Sequence, residues 1–366
     1  TDFTIAATGG DITGTTLGAN LAGGNVTITA PGTGTTGNGD IFVNDPVTWG
    51  CTNAAGCALT LNAWRNIYIN QDITGTVING TPQLFLMYGQ GAATAGNTAD
   101  YFLGTGAQIF LPAGLNFHTT LGNTAGAQID YTVITALGTQ GSTTGTDLQG
   151  MIPTGNYVLG ADIDASLTSL DTGWNAAGGF APVGSFTGRF DGLGHTISGL
   201  FINRPATNQV GLFGITSAAS IRNVGLLNAN ITGNSYVGGL AGYFFDGSIS
   251  NSYVQTSTIT GTGGLVGALA GYDISGTIAH SHATGNVITG NDSVGGLVGN
   301  YAFGAIIDSH ADSGNVVGTS NAGALVGYNG GGTITNSHYA IDGANALTVN
   351  GLNVLMRGGY LQCPVC

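Results

Sequence analysis

The chain has 366 residues, 67 of them glycine, and a formal net charge of −13 at pH 7. It contains no lysine and no glutamate, so all five cations are arginine and all 18 acids are aspartate. This composition argues against a helical protein, and the lack of a basic cluster argues against nucleic acid or acidic lipid as a partner.

Short alternating stretches predict strands in the N-terminal quarter of the chain. Each is bounded by Gly, Asn or Pro, and their spacing is irregular, so we expect coils with loops of different length. The stretches are NVTITA, DIFVND, ALTLNA, NIYINQ and QLFLMYG. The opening TDFTIAATGGDITG also reads as strand, with no helix to cover it. Apolar runs are short and broken by glycine, so membrane insertion is not expected.

Four cysteines form two close pairs, Cys51 with Cys57 and Cys363 with Cys366. Of the three connectivities, we favour two local disulfides in an oxidising extracellular setting. Three alternatives stay open: a redox-active C-x-x-C, a zinc site, and bonding of the terminal pair to another molecule.

Residues 131–190 are the least repetitive part of the chain. TTGTDLQGM at 143–151 is the best helix candidate. Asp162 and Asp164 are two residues apart, so they are expected on the same side of one strand. A second cluster contains Arg189, Asp191 and His195, which lie close together in RFDGLGHTI. This second cluster is the best case for an enzyme acting on polysaccharide. The alternative, which we prefer, is a structural turn with a histidine bonded to loop backbone.

The C-terminal half repeats itself. One leucine recurs at intervals of 28, 29, 28 and 28 residues, and an isoleucine recurs in step with it. The leucines are Leu212, Leu240, Leu269, Leu297 and Leu325, and the isoleucines are Ile221, Ile249, Ile278, Ile306 and Ile334. A fixed period in short strands predicts a solenoid in which each repeat is one coil and like residues form inward columns. Glycine is expected at the corners that need a positive φ.

Three histidines share one repeat position with a tyrosine. His282, His310 and His338 follow Tyr253 at the repeat interval, so we expect a stacked ladder of rings. A metal site is the alternative, but parallel rings do not converge on one ion as zinc requires. A pH-sensitive surface is a further alternative.

Other polar and aromatic residues have a structural interpretation and a functional one. Asp246, Asp273, Asp292 and Asp312 are expected to be solvated turn residues rather than calcium ligands. Trp49, Trp64 and Trp174 are expected to pack in the core or in loops rather than to stack on sugars. Asn25, Asn79, Asn230 and Asn291 each begin an N-x-[ST] triplet, which this composition produces readily by chance.

The repeats, with VGGLAGYFFDGSISNSYV as one copy, resemble the GLUG-motif repeats of secreted bacterial surface proteins. FAPVGSFTGRFDGLGHTISGLFINRPATNQVGLFG resembles their lead-in, and LTLNAWRNIYINQDITG and YGQGAATAGNTADYFL resemble filamentous-haemagglutinin-type exoproteins. The resemblance implies an all-β fold, a right-handed parallel β-helix, and secretion by an outer-membrane transporter partner. The secretion domain with which such exoproteins begin has no counterpart here.

We therefore divide the chain into haemagglutinin-like coils at 1–130, transition and lead-in coils at 131–210, GLUG-type coils at 211–340, and terminal strands with the cysteine pair at 341–366. The expected function is a non-enzymatic extracellular adhesin or fibre, with no cofactor, metal or catalytic residue. The expected partners are further copies of this chain, associated head to tail, and a host or surface glycan. A carbohydrate-active enzyme and a glycan-binding module are the alternatives.

Overall fold

The protein is a parallel β-solenoid of about ten turns, with coils of about 28 residues. The computed structural model describes residues 1–32, 37–170, 173–174, 178–312, 314–339, 346–349, 352–354 and 361–362. Strands account for 49% of the structure and helices for 4%, which confirms the predicted all-β fold class. Within those residues, no helix has the length and apolar character needed to cross a membrane.

The chain divides into two compact units. The first contains Thr1–Thr135, Asn156–Ala161 and Leu193–His195. The second contains Ala136–Gly155, Asp162–Gly192 and Thr196–Cys366.

The first unit contains one helix and thirteen strands among its described residues. They are β1 Phe3–Ile5, α1 Gly14–Ala22, β2 Val26–Ala30, β3 Ile41–Val43, β4 Val47–Cys51, β5 Cys57–Ala63, β6 Ile67–Ile69, β7 Ile73–Val77, β8 Pro82–Tyr88, β9 Tyr101–Leu103, β10 Ile109–Phe110, β11 Gly114–Leu121, β12 Gln128–Ile134 and β13 Asn156–Leu159. They form three faces, ordered β1-β3-β6-β9, β4-β7-β10 and β2-β5-β8-β11-β12-β13. The pairing is parallel except between β11 and β12, which run antiparallel.

Helix α1 covers the face that begins with β4. Leu17 and Leu21 are fully buried, and the Thr13 hydroxyl caps the helix by accepting from the Thr16 amide at 3.1 Å. The expectation of an uncovered strand-like opening is therefore wrong for this face. The helix predicted at 143–151 is also wrong, because those residues form bends and turns. Asp147 accepts there from the Ser142 and Thr144 hydroxyls and from the Gly150 amide, and these local bonds compete with helix.

The second unit contains the repeats. Its described strands are β14 Ile163–Asp164, β15 Arg189–Asp191, β16 Thr196–Ser198, β17 Phe201–Asn203, β18 Phe213–Arg222, β19 Gly225–Leu227, β20 Asn230–Gly233, β21 Val237–Gly238, β22 Ala241–Ser250, β23 Tyr253–Gln255, β24 Thr258–Gly261, β25 Val266–Gly267, β26 Ala270–Asp273, β27 Thr277–Ala279, β28 His282–Thr284, β29 Val287–Thr289, β30 Asp292–Gly295, β31 Val298–Tyr301, β32 Ala305–Ile307, β33 His310–Asp312, β34 Asn315–Gly318, β35 Ser320–Gly323, β36 Val326–Asn329, β37 Thr333–Thr335, β38 His338–Tyr339, β39 Ala346–Val349, β40 Leu352–Val354 and β41 Leu361–Gln362. A short 3-10 helix spans Ser166–Ser169.

Like positions pair directly from coil to coil, as the 28-residue period predicts. Ile249 pairs with Ile221 on one side and with Ile278 on the other, and Ile306 continues the column. These isoleucines are fully buried, as are Leu212, Leu240, Leu269 and Leu297. Ile334 stays in register but is partly exposed. The two predicted inward columns are confirmed.

In the repeats, most residues with a positive φ are not glycine, although glycines are the more numerous over all the described residues. One position per coil has a left-handed backbone in Asn223, Asn251, His280, Asp308 and Asn336, with φ of 54°, 48°, 50°, 47° and 48°. Asparagine and aspartate tolerate this conformation better than most residues because their short polar side chains bond locally. The expectation that glycine supplies the positive φ at these corners is wrong.

The repeated glycines instead allow close approach of backbone to backbone. A Cβ at Gly238, Gly267, Gly295 or Gly323 would overlap the carbonyl oxygen three residues later in the same coil. Only glycine fits such a position without moving the chain. The glycine two residues before Leu240, Leu269, Leu297 and Leu325 is therefore fixed by steric exclusion.

Replacing Gly295 by alanine should lower the free energy of unfolding by about 3 kcal/mol or more, because backbone must shift to remove the overlap with Val298. The matched control is Gly184→Ala, where an added Cβ meets nothing within 4 Å. Urea unfolding of both variants measures the difference, and equal stability of the two would contradict the steric explanation.

Candidate functional site

The repeat histidines form a continuous stack on one face of the second unit. Tyr253, His282, His310 and His338 lie in register on β23, β28, β33 and β38. Their ring centroids are 5.0, 4.9 and 5.2 Å apart, and the planes deviate by 4°, 1° and 7°. Gly225 precedes Tyr253 in the column, and a side chain there would collide with the tyrosine ring.

The stack has the geometry of ring packing rather than of ligand convergence. Zinc needs lone pairs that meet at about 2.1 Å in a tetrahedron, whereas these rings lie parallel about one coil apart. Among the described residues, no group of three His, Cys or Asp side chains could hold a metal ion.

Burial makes the stack sensitive to protonation. The pKa of His282 is lowered by burial and then by the neighbouring His310. The pKa of His310 is lowered by burial and by His338, with a partial opposing effect of Asp312. Two stacked imidazolium rings would repel each other, so the neutral stack is the stable form.

A buried serine ladder runs beside the stack, and the sequence reasoning missed it. Ser252, Ser281, Ser309 and Ser337 precede the four stacked rings and are at most 2% exposed. The Ser281 hydroxyl donates to the Ala279 carbonyl at 2.8 Å and accepts from the Ser252 amide at 3.2 Å. Ser309 and Ser337 continue the pattern. The sequence did contain a signal for this ladder, because a serine directly precedes each of the four stacked rings.

Asp191, the acid of the cluster that the sequence offered as an enzyme site, is held by structural partners. Asp191 is 3% exposed, and Arg222 donates from Nε to its Oδ2 at 2.7 Å, while Asn223 donates to both of its oxygens. Arg189 lies on β15 and is exposed.

His195 belongs to the first unit and is completely buried. Its Nε2 lies 2.9 Å from the Ile109 carbonyl oxygen, and its Nδ1 lies 3.3 Å from the side-chain amide nitrogen Nε2 of Gln108. The ring meets Phe110 edge on. His195 therefore has a structural role, but the backbone that it contacts belongs to strand β10 and not, as the structural alternative had expected, to a loop.

Asp162 and Asp164 do not form a carboxylate pair aimed at one ligand. Asp162 accepts from the Thr196 amide at 2.8 Å, and Asp164 accepts from the Ser166 amide at 2.9 Å. The hydrogen bonds from Ser166 lower the pKa of Asp164.

A second histidine and aspartate pair escaped the sequence reasoning. His118 and Asp130 face each other across the antiparallel β11 and β12, with Nδ1 to Oδ1 at 2.7 Å. His118 stacks on Phe85 at 4.2 Å, and the hydrogen bond from His118 lowers the pKa of Asp130. This hydrogen bond joins the two strands at the point where the parallel order of this face is interrupted.

One of the four expected turn acids is in the core. Asp273 ends β26 with its side chain fully buried, between Phe244 and Tyr301 in the adjacent coils. Its Oδ1 accepts from the Gly276 amide at 2.8 Å, and its Oδ2 has no hydrogen-bond partner. The expectation of a solvated residue is wrong here, and burial raises the pKa of Asp273 to about 7.

Cys51 and Cys57 form a disulfide with a Cα–Cα distance of 5.5 Å. Both are buried at the junction of β4 and β5. Cys363 and Cys366 lie outside the described residues.

Comparisons with known proteins give local matches. Residues 233–260 match the GLUG motif. This match covers the coil from β20 to β24 and includes the first of the steric glycines, Gly238.

Halomucin from Haloquadratum walsbyi is 43% identical over 122 residues, which is 30% of this chain and 1% of halomucin. The match thus spans a very small part of that relative. The chain also aligns with the crystal structure of a candidate immunoglobulin A1 protease from Bacteroides ovatus, at 19% identity and a TM-score of 0.36, covering 57% of this chain and 74% of that one.

The histidine stack should lose stability as the pH falls. The folded pKa of His310 is lowered from 6.5, so its contribution is complete above about pH 6.5 and decreases below it. His310→Tyr keeps a flat ring and removes the proton site, so strands β28 and β33 should exchange amide hydrogens more slowly than the wild type at acid pH. The control is His280→Asn, which replaces an exposed histidine outside the stack by the residue that occupies the same left-handed corner at Asn223, Asn251 and Asn336. An equal acid effect in both variants would contradict the assignment.

Asp273 should produce the opposite pH dependence. Its folded pKa of about 7 lies above the ordinary 3.8, so its stabilising contribution is complete below about pH 4 and is lost as the pH rises through 7. A shift of this size corresponds to a loss on the order of 4 kcal/mol at alkaline pH. Asp273→Asn should abolish the alkaline loss of protection from hydrogen exchange around β26 and β31, measured relative to the intrinsic exchange rate at each pH. Asp292→Asn, at an exposed carboxylate, should leave it unchanged.

Proposed function

We propose that this chain is a non-enzymatic structural segment of an extracellular or cell-surface protein. The observation that carries the proposal is the engagement of the candidate catalytic side chains in structural contacts, with Asp191 held by Arg222 and His195 bonded to the Ile109 backbone. Such a set offers no free acid and base flanking a substrate.

Three further observations support the same assignment. Coils stacked through parallel ladders make a self-supporting scaffold in which each repeat contacts mainly its neighbours. The Cys51–Cys57 disulfide suits an oxidising compartment. The local matches to the GLUG motif and to halomucin, a protein named as a mucin, favour a surface role.

An adhesin or fibre role is the finer form of this proposal. Head-to-tail association, a glycan partner and secretion through an outer-membrane transporter stay predictions of the sequence and of its resemblance.

Two readouts test the proposed function. Gold-labelled antibody against the chain should mark the outer surface of the producing cells in electron micrographs. The purified chain should release neither reducing nor unsaturated sugars from a panel of polysaccharides, and it should cleave none of the peptides in a protease-substrate panel. Label confined to the cell interior, or steady turnover, would contradict the proposal.

Asp191→Ala separates the structural role of this residue from a catalytic one. Removing the carboxylate breaks the contact with Arg222 in a largely buried place, so the free energy of unfolding should fall by about 3 kcal/mol or more. Asp164→Ala, at an exposed carboxylate, is the control and should cost less than about 1 kcal/mol. Loss of a measurable turnover in Asp191→Ala at unchanged stability would reverse the assignment.

A further inference from the structure

The first unit has an open cleft beside an exposed tryptophan. The cleft has a volume of about 320 Å³ and is lined by Asn38, Trp64, Arg65, Asn97 and Thr98, together with small residues at 89–99. That volume lies at the lower end of the range found for small-molecule sites. Trp64 is 46% exposed, whereas Trp49 and Trp174 are 2% and 6% exposed.

The indole is held in place by backbone from other coils. Trp64 directly follows β5, and a Cβ added to either Gly32 or Gly91 would overlap its ring. The Trp64 amide donates to the Ala30 carbonyl at 3.0 Å, and its carbonyl accepts from the Gly91 amide at 3.1 Å. The exposed part of the ring is therefore presented in a fixed position.

Arg65 is equally well fixed and its charge is compensated. Its Nε and Nη2 donate to the two oxygens of Asp40 at 2.9 and 2.5 Å, and Asp40 is 2% exposed. A guanidinium group has five N–H donors, so this pairing leaves others available on a side chain that is 46% exposed. The pair contributes no net charge to the cleft.

The loop that forms the far wall is also ordered by internal bonds. Asn97 donates to the Gly89 carbonyl at 2.7 Å and accepts from the Ala99 amide at 3.1 Å. Gln90 donates to the carbonyls of Tyr88, Thr120 and Gly122 at 2.9 to 3.2 Å. A wall built in this way needs little reorganisation to receive a ligand.

The chemistry of the lining selects the ligand. A pyranose ring combines apolar C–H faces with a rim of hydroxyls, and the cleft combines an indole surface with guanidinium, amide and hydroxyl groups. An anionic ligand is disfavoured, because Arg65 is already neutralised and Asp2 lies at the edge, where it accepts from the Asn38 amide. The net charge of −13 adds a general repulsion.

We propose that this cleft binds a neutral hexopyranose unit of a polysaccharide, with Trp64 packing on the sugar and Arg65 donating to its hydroxyls. The site does not depend on the proposed structural function, since it is built only from contacts within the first unit.

The test is calorimetric titration of the full chain with cellohexaose, maltohexaose, mannohexaose and a galactan oligomer, with oligogalacturonate as the acidic comparison. At least one neutral oligosaccharide should bind, and it should bind more tightly than oligogalacturonate. Trp64→Ala should weaken that binding about tenfold or more, the effect of removing an aromatic anchor. Phe102→Ala, at an aromatic residue that is 42% exposed outside the cleft, should leave binding within about twofold.

A second variant is needed because Trp64→Ala could fail to fold. Gly91→Ala keeps the lining side chains but pushes a Cβ into the indole, so it should weaken binding by a similar factor. Gly24→Ala, where a Cβ meets nothing within 4 Å, is its control. The proposal is overturned if no neutral oligosaccharide binds, if oligogalacturonate binds best, or if Trp64→Ala and Gly91→Ala both bind as the wild type does.

Discussion

Parallel pairing between successive coils is the constraint on which the rest of this structure depends. Because the repeat strands pair in parallel with the strand one coil away, side chains in the repeats lie over their counterparts in the neighbouring coil. Inside the coils, a residue is therefore accommodated best when it packs against itself or against a close substitute. Branched aliphatic side chains satisfy this condition inside the coils, and flat rings satisfy it at the half-buried position of Tyr253 and the histidines.

The same constraint determines where polar groups can be buried. The serines beside the ring stack are tolerated because each hydroxyl donates to a carbonyl of its own coil and accepts from the serine amide of the preceding coil, so the ladder satisfies itself. Asp273 breaks this rule. It occupies a column position held by phenylalanine and tyrosine in the adjacent coils, and one of its oxygens has no partner. A single departure from like-on-like pairing is enough to place an ionisable group in the core.

The parts of the fold that follow a period could be predicted from sequence, and the parts that depend on contacts between irregular segments could not. The 28-residue interval was sufficient to predict the Leu240 and Ile249 columns and the register of the histidines. Helix α1 was missed because its stability comes from burying Leu17 and Leu21 in the core and from the close approach of Gly18 to β4, while its glycines lower its intrinsic helix propensity. The Trp64 cleft was missed for a related reason, since Asn38, Arg65 and Asn97 meet only through coils of unequal length.

The 29-residue step between the repeats of Leu240 and Leu269 shows where this architecture accepts an additional residue. Gly233 and Gly261 pair at an interval of 28 residues, whereas Val237 and Val266 pair at 29, so the additional residue lies in the turn between β24 and β25. The strands on both sides keep their partners, and the turn residues 262–265 are exposed or half-buried. Foreign peptide inserted at this turn would be displayed on the surface of an intact scaffold, which makes the turn a natural attachment point for engineering and a route by which related chains can diversify.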